Sequence, residues 1–127
     1  MNLMILENCT LVDANSHEPR PDTTILIEEN RIKEVSDQPI QMSDAQRIDL
    51  KGKTLMPGLI DAHVHLGLDP AVTDPFAHGR VPKDQQLEAM RQRTRDMLQA
   101  GVTTARDLGG GAWLELKVRD EIASGQH

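Results

Sequence analysis

The chain has 127 residues, 38% apolar and 27% charged, which is the composition of a globular protein large enough to bury a core. Its 14 basic and 20 acidic residues leave a net charge of −6, a sign that repels phosphate backbones and anionic membranes, and Phe76 and Trp113 alone make no base-stacking platform. The single Cys9 excludes an internal disulfide and a CxxC metal pair, and no run nears the roughly 18 apolar residues of a membrane span; the expectation is a cytoplasmic protein without nucleic-acid or membrane partners.

Residues 3–12 and 24–35 read as strands, the second broken by the polar turn Glu29-Asn30-Arg31. Between them, residues 13–22 carry Asn15, Ser16, Pro19 and Pro21, which is a loop signature. Cys9 lies in the apolar run Leu6 to Val12 and is read as a small core residue. Residues 36–45 are polar and turn-rich. Arg47 to Leu50 and Thr54 to Met56 follow as short strands around Lys51-Gly52-Lys53. With no amphipathic helix before Pro57, residues 1–57 make a small β unit.

At Pro57-Gly58 the pattern changes. Leu59 to Leu66 reads as a short, mostly buried strand with its polar residues on one face. A long loop over 67–83 carries Gly67, Pro70, Pro75, Gly79 and Pro82, and loops of that length in a compact domain are commonly functional. Asp84 is placed to cap a helix bearing Leu87, Met90, Thr94, Met97 and Leu98 at helical spacing, with Gly101 at its stop. Val102 to Leu108 is a second strand, Gly109-Gly110-Gly111 a turn, and Ala112 to Ser124 a helix with Leu114, Val118 and Ile122 on one stripe and Gly125 as terminator. The order βαβα implies parallel strands with crossover helices, an α/β architecture for residues 58–127.

The chemistry concentrates in Leu55-Met56-Pro57-Gly58-Leu59-Ile60-Asp61-Ala62-His63-Val64-His65-Leu66. Alternate side chains of a strand share a face, so Asp61, His63 and His65 project together and the imidazoles stand roughly 7 Å apart at Cα, near enough to share one metal ion. Zn²⁺ suits neutral imidazole nitrogens, although Fe²⁺, Mn²⁺ and Ni²⁺ satisfy the same geometry. The bland alternative is two polar residues on a solvated sheet edge. Against it, a histidine pair in a Leu/Ile/Ala/Val strand is costly to bury without partners, and it lies at the strand's carboxyl end, where α/β proteins place their sites.

Pro57 to His65 resembles the signature at the start of the catalytic barrel in the amidohydrolase superfamily, where a strand carrying HxH follows a small β-sandwich. Gly101-Val102-Thr103-Thr104-Ala105-Arg106-Asp107-Leu108-Gly109-Gly110 is similar to the second barrel strand of its imidazolonepropionase-like and Xaa-Pro dipeptidase-like branch. The resemblance covers almost the whole chain. It implies a β-sandwich part over 1–57 and the first two βα units of a TIM (β/α)8 barrel over 58–127. It also implies His63 and His65 as metal ligands, a divalent metal, Zn²⁺ as one or two ions, as the cofactor, and a metal-activated water that attacks a carbon–nitrogen bond of a small amide, cyclic amide or dipeptide. Deamination or ester hydrolysis on the same fold, or a non-catalytic assembly module, are the alternatives.

Asp61 has two readings, support of the metal shell or capping of a turn or backbone group. Arg106 and Asp107, where the second strand ends, either line the pocket or form an ion pair or loop anchor. His78 sits in the long loop, reaching substrate or simply solvated; His17 and His127 carry no context. The family pattern further needs a lysine or glutamate, two histidines on later strands and a final aspartate, so the catalytic group is expected beyond His127. A complete barrel takes about 250 residues, and residues 58–127 hold two of its eight βα units, so the chain is expected to be a truncated one, with a homo-oligomer open to the complete protein.

Overall fold

A computed structural model describes residues 2–74, 76–110 and 112–126; Pro75 of the long loop, Gly111 of the glycine turn and His127 lie outside the described residues. The chain divides into two compact units, Met1–Pro57 and Gly58–His127.

The first unit is one mixed sheet of five strands: β1 (Leu3–Leu11), β2 (Arg20–Glu28), β3 (Arg31–Ser36), β4 (Gln46–Asp49) and β5 (Thr54–Leu55). Their order is β3-β2-β1-β4, with β5 also on β1. β1 runs antiparallel to β2 and parallel to both β4 and β5. As the central strand, β1 has partners along both edges, and its inward residues are fully buried. Ile5 packs with Leu26 and Ile40, while Cys9 and Leu11 pack with Ile25. The Cys9 thiol points at the Thr23 carbonyl, and burial pushes its pKa up, so it sits as an inert core residue. One sequence expectation needs correcting. Arg20, Pro21 and Asp22 belong to β2, because Arg20 pairs with Leu11 across an irregular register. Asp22 takes a left-handed φ of 49° there, and the Thr23 hydroxyl donates to the Arg20 carbonyl.

The second unit runs β6 (Leu59–Val64), a 3₁₀ turn (His78–Arg80), α1 (Lys83–Gln99), β7 (Val102–Asp107) and α2 (Leu114–Ala123). β6 and β7 pair in parallel, with α1 as the crossover between them. Its core lies between the helices, where Leu87 and Met90 of α1 meet Val118 of α2, with Leu66 and Leu114 against them. Arg91 grips Glu121 through two 2.9 Å hydrogen bonds, tying α1 to α2; Glu121 above all, then Glu88, pushes the guanidinium pKa up.

Several boundaries differ from expectation. Pro82 rather than Asp84 precedes α1, and no side-chain cap closes that end; Asp84 lies in the first turn, where its charge suits the helix dipole. Ala112 and Trp113 both have left-handed φ, so α2 begins two residues late, at Leu114. Gly101 ends α1 at φ +91°, as its position implied. β6 ends at Val64, and it is exposed rather than buried: Ile60 is 73% accessible and Leu59 49%. Its only strand partner among the described residues is β7. An open groove of about 830 Å³ runs between α1, β7 and α2, with Leu98, Trp113, Leu116 and Ile122 along it. This is why Leu98 and Ile122, placed on the core stripes by their spacing, remain exposed.

Candidate metal centre

Both strands of the second unit end at one place. β6 ends at Val64, whose carbonyl accepts the Leu108 amide, and β7 ends at Asp107. Gly58, which leads into β6, explains the close seating of the strands, since a Cβ there would fall 2.0 Å from the Thr103 hydroxyl oxygen.

His63 lies in β6 and His65 just past its end. Their Nε2 atoms approach to 3.2 Å, with ring centroids 5.2 Å apart and planes at 73°. The Nδ1 of His65 hydrogen-bonds the Gly109 carbonyl. A carbonyl oxygen only accepts, so Nδ1 carries the proton and Nε2 of His65 presents a bare lone pair toward His63. With the His65 ring neutral, Nε2–H of His63 is the donor to that lone pair. Two nitrogens at about 2.0–2.1 Å from one tetrahedral ion would lie roughly 3.3 Å apart, so the observed separation also fits a shared cation in place of the proton. Among the described residues, no group of three or more His, Cys, Asp or Glu side chains converges as a complete ligand set.

The other candidates separate by role. Asp61 Oδ1 accepts the backbone amide of His63 at 3.0 Å, within its own strand. Asp107 spends its carboxylate on two backbone amides, Oδ1 on Gly109 at 2.7 Å and Oδ2 on Leu66 at 3.1 Å. Arg106 is exposed and borders the groove beside β7. His78 opens the 3₁₀ turn, and its backbone carbonyl accepts the Gln86 side chain at 3.1 Å.

Residues that sequence reasoning passed over complete the frame. Arg93 of α1 donates to the Leu66 carbonyl at 2.7 Å and lies 3.6 Å from Asp69. Gly67 and Gly110 face each other across the two loops, a Cβ added on Gly110 falling 3.4 Å from the Gly67 Cα. The only sequence signal for this is the pair of glycine-bearing segments, one read as a long loop and the other as a turn. Their mutual approach depends on the parallel register.

Comparison with known proteins bears on the same segment. The amidohydrolase family model matches residues 54–118, from β5 into α2. The chain belongs to the amidohydrolase family. A dihydroorotase of Thermoanaerobacter sp. is 34% identical over 101 residues, spanning 80% of this chain and 20% of that protein. A dihydroorotase of Syntrophotalea carbinolica is 42% identical over 66 residues, or 52% of this chain and 15% of that one. Among solved structures, a prolidase complexed with N-methylphosphonate-L-proline matches 98% of this chain and 29% of its own, with a TM-score of 0.86 at 29% identity. The chain therefore spans less than a third of each of these amidohydrolase relatives.

Proposed function

We propose that this amidohydrolase chain supplies two ligands, His63 and His65, to the metal centre of a hydrolase acting on carbon–nitrogen bonds of small amides, cyclic amides or dipeptides. In this reading residues 1–57 are one part of a composite β-sandwich, and residues 58–127 are the first two βα units of a (β/α)8 barrel. The names of the relatives, dihydroorotase and prolidase, support that substrate class.

The observation that carries the reading is the 3.2 Å convergence of the two Nε2 atoms, with the Gly109 carbonyl accepting from Nδ1 of His65 and so favouring the tautomer whose Nε2 keeps its lone pair. Neutral imidazoles of this kind suit Zn²⁺. When bound, a divalent ion supplies acidification of water toward a pKa of about 7 and polarisation of the scissile carbonyl. The chain's own residues do the holding. Asp61 pins the His63 backbone, the Gly109 carbonyl orients His65, and Leu66 is clasped at its amide by Asp107 and at its carbonyl by Arg93. Such orientation by outer hydrogen bonds raises ligand basicity and lowers the entropic cost of binding.

The test is hydrolysis of an Xaa-Pro dipeptide and of a cyclic amide by the zinc-supplemented longer protein that carries this chain and the remaining strands, with and without His63→Ala. Loss of metal activation removes several kcal/mol of transition-state stabilisation, so a fall of at least about 100-fold is expected. Undiminished turnover in His63→Ala would contradict the proposal.

A further inference from the structure

We infer that Asp107 is a positioning residue for His65, acting across the two loops through Gly109 to fix which ring nitrogen of His65 carries the proton. The metal-centre reading supplies the purpose of this device. The device itself is a statement about protons and hydrogen bonds in the free chain.

His65 lies beyond the end of β6, so the strand ladder does not hold its ring. Its orientation comes from the Gly109 carbonyl, and Gly109 lies just past the end of β7 at φ +90°, a conformation that glycine adopts without strain and other residues rarely do. What stops that glycine from swinging is Asp107. One oxygen takes the Gly109 amide at 2.7 Å and the other takes the Leu66 amide at 3.1 Å, so a single carboxylate bridges the residue that orients His65 and the residue that follows it. A carboxylate is the right group, because both bridged partners are donors and only an ionised acid offers two acceptor oxygens. Gly67 and Gly110 face each other across the two loops, a Cβ on Gly110 falling 3.4 Å from the Gly67 Cα, so the carboxylate ties the loops where they lie side by side. An amide side chain has one acceptor and one donor. Asp107→Asn therefore satisfies one amide and confronts the other with an N–H.

The experiment uses the uniformly ¹⁵N-labelled, metal-free chain, with His65 ring nitrogens read by long-range ¹H–¹⁵N correlation. The wild type is expected to show the Nδ1–H form of His65. Asp107→Asn and Asp107→Ala are expected to populate the Nε2–H form and to weaken Zn²⁺ binding by about 10-fold or more, the usual cost of losing an outer hydrogen-bond partner. His65 held as Nδ1–H in both variants, with their amide spectra otherwise native, would overturn the inference. Should one variant unfold the other decides, and in the wild type an Nε2–H form of His65 refutes the inference outright. If the tautomer shifts while wild-type zinc binding is absent, the positioning role stands and the metal reading fails; if zinc binds and the tautomer is unmoved, the reverse holds.

Discussion

Strands β1 and β6 are both rich in apolar residues, yet they end in opposite environments. Ile5 of β1 is fully buried, while Ile60 of β6 is 73% accessible. β1 is hydrogen-bonded along both edges, to β2 on one side and β4 and β5 on the other, and the burial follows. β6 pairs with β7 in a two-stranded parallel sheet, an arrangement that normally requires cover on both faces. Hydropathy thus reports what a strand needs, and pairing decides whether it is met. In the second unit the burial has moved to the helix–helix contact of Leu87, Met90 and Val118, and the strand ends are held by polar ties instead.

The sharpest way to break this contrast is to truncate matched residues. Ile5→Ala and Met90→Ala each remove a fully buried side chain and are expected to cost about 2–5 kcal/mol in chemical denaturation. Ile60→Ser should stay within about 0.5 kcal/mol. An Ile60 effect as large as that of Ile5 would show that β6 is covered after all. Next in size is Gly58→Ala, whose methyl would overlap Thr103; a loss of about 1–3 kcal/mol is expected in thermal melts, smaller in a Thr103→Gly background.

Smaller again is Arg91→Lys, which keeps the charge but loses the two-pronged grip on Glu121. Roughly 1 kcal/mol is expected, confined to the second unit's amides in hydrogen exchange. The least effect belongs to pH in the first unit. The Asn8 amide, then the Lys51 backbone amide, hold the Asp49 carboxyl below its ordinary value of 3.8. A lowered folded pKa contributes stability that is full above that value and fades as pH falls through the lower one. A slight loss of first-unit stability as the pH falls below the ordinary carboxylate value of 3.8, absent in Asp49→Ala, is the expected signature; loss on raising the pH would have the wrong sign.

Much of this molecule was legible before any coordinates. The change of pattern at Pro57-Gly58, the βαβα order and the helix stop at Gly101 follow from local spacing and glycine chemistry; β6, α1, β7 and α2 follow one another in that order, with Gly101 closing α1. The alternation of His63 and His65 predicted neighbouring rings, and neighbouring they are. What stayed hidden depends on contacts 40 or so residues apart. Asp107 and Leu66, or His65 and Gly109, meet only because β6 and β7 lie side by side in a particular register. Likewise Ala112 and Trp113 read as helix, and only the backbone's left-handed turn there moves the start to Leu114.

The claim on which the account depends is that His63 and His65 grip one ion together. X-ray absorption at the zinc edge, on protein loaded with less than one equivalent of Zn²⁺, counts imidazole ligands directly. Two imidazole nitrogens at about 2.0–2.1 Å are predicted, falling to one in His63→Ala. A spectrum of oxygen ligands with one imidazole or none, unchanged by that substitution, would contradict it.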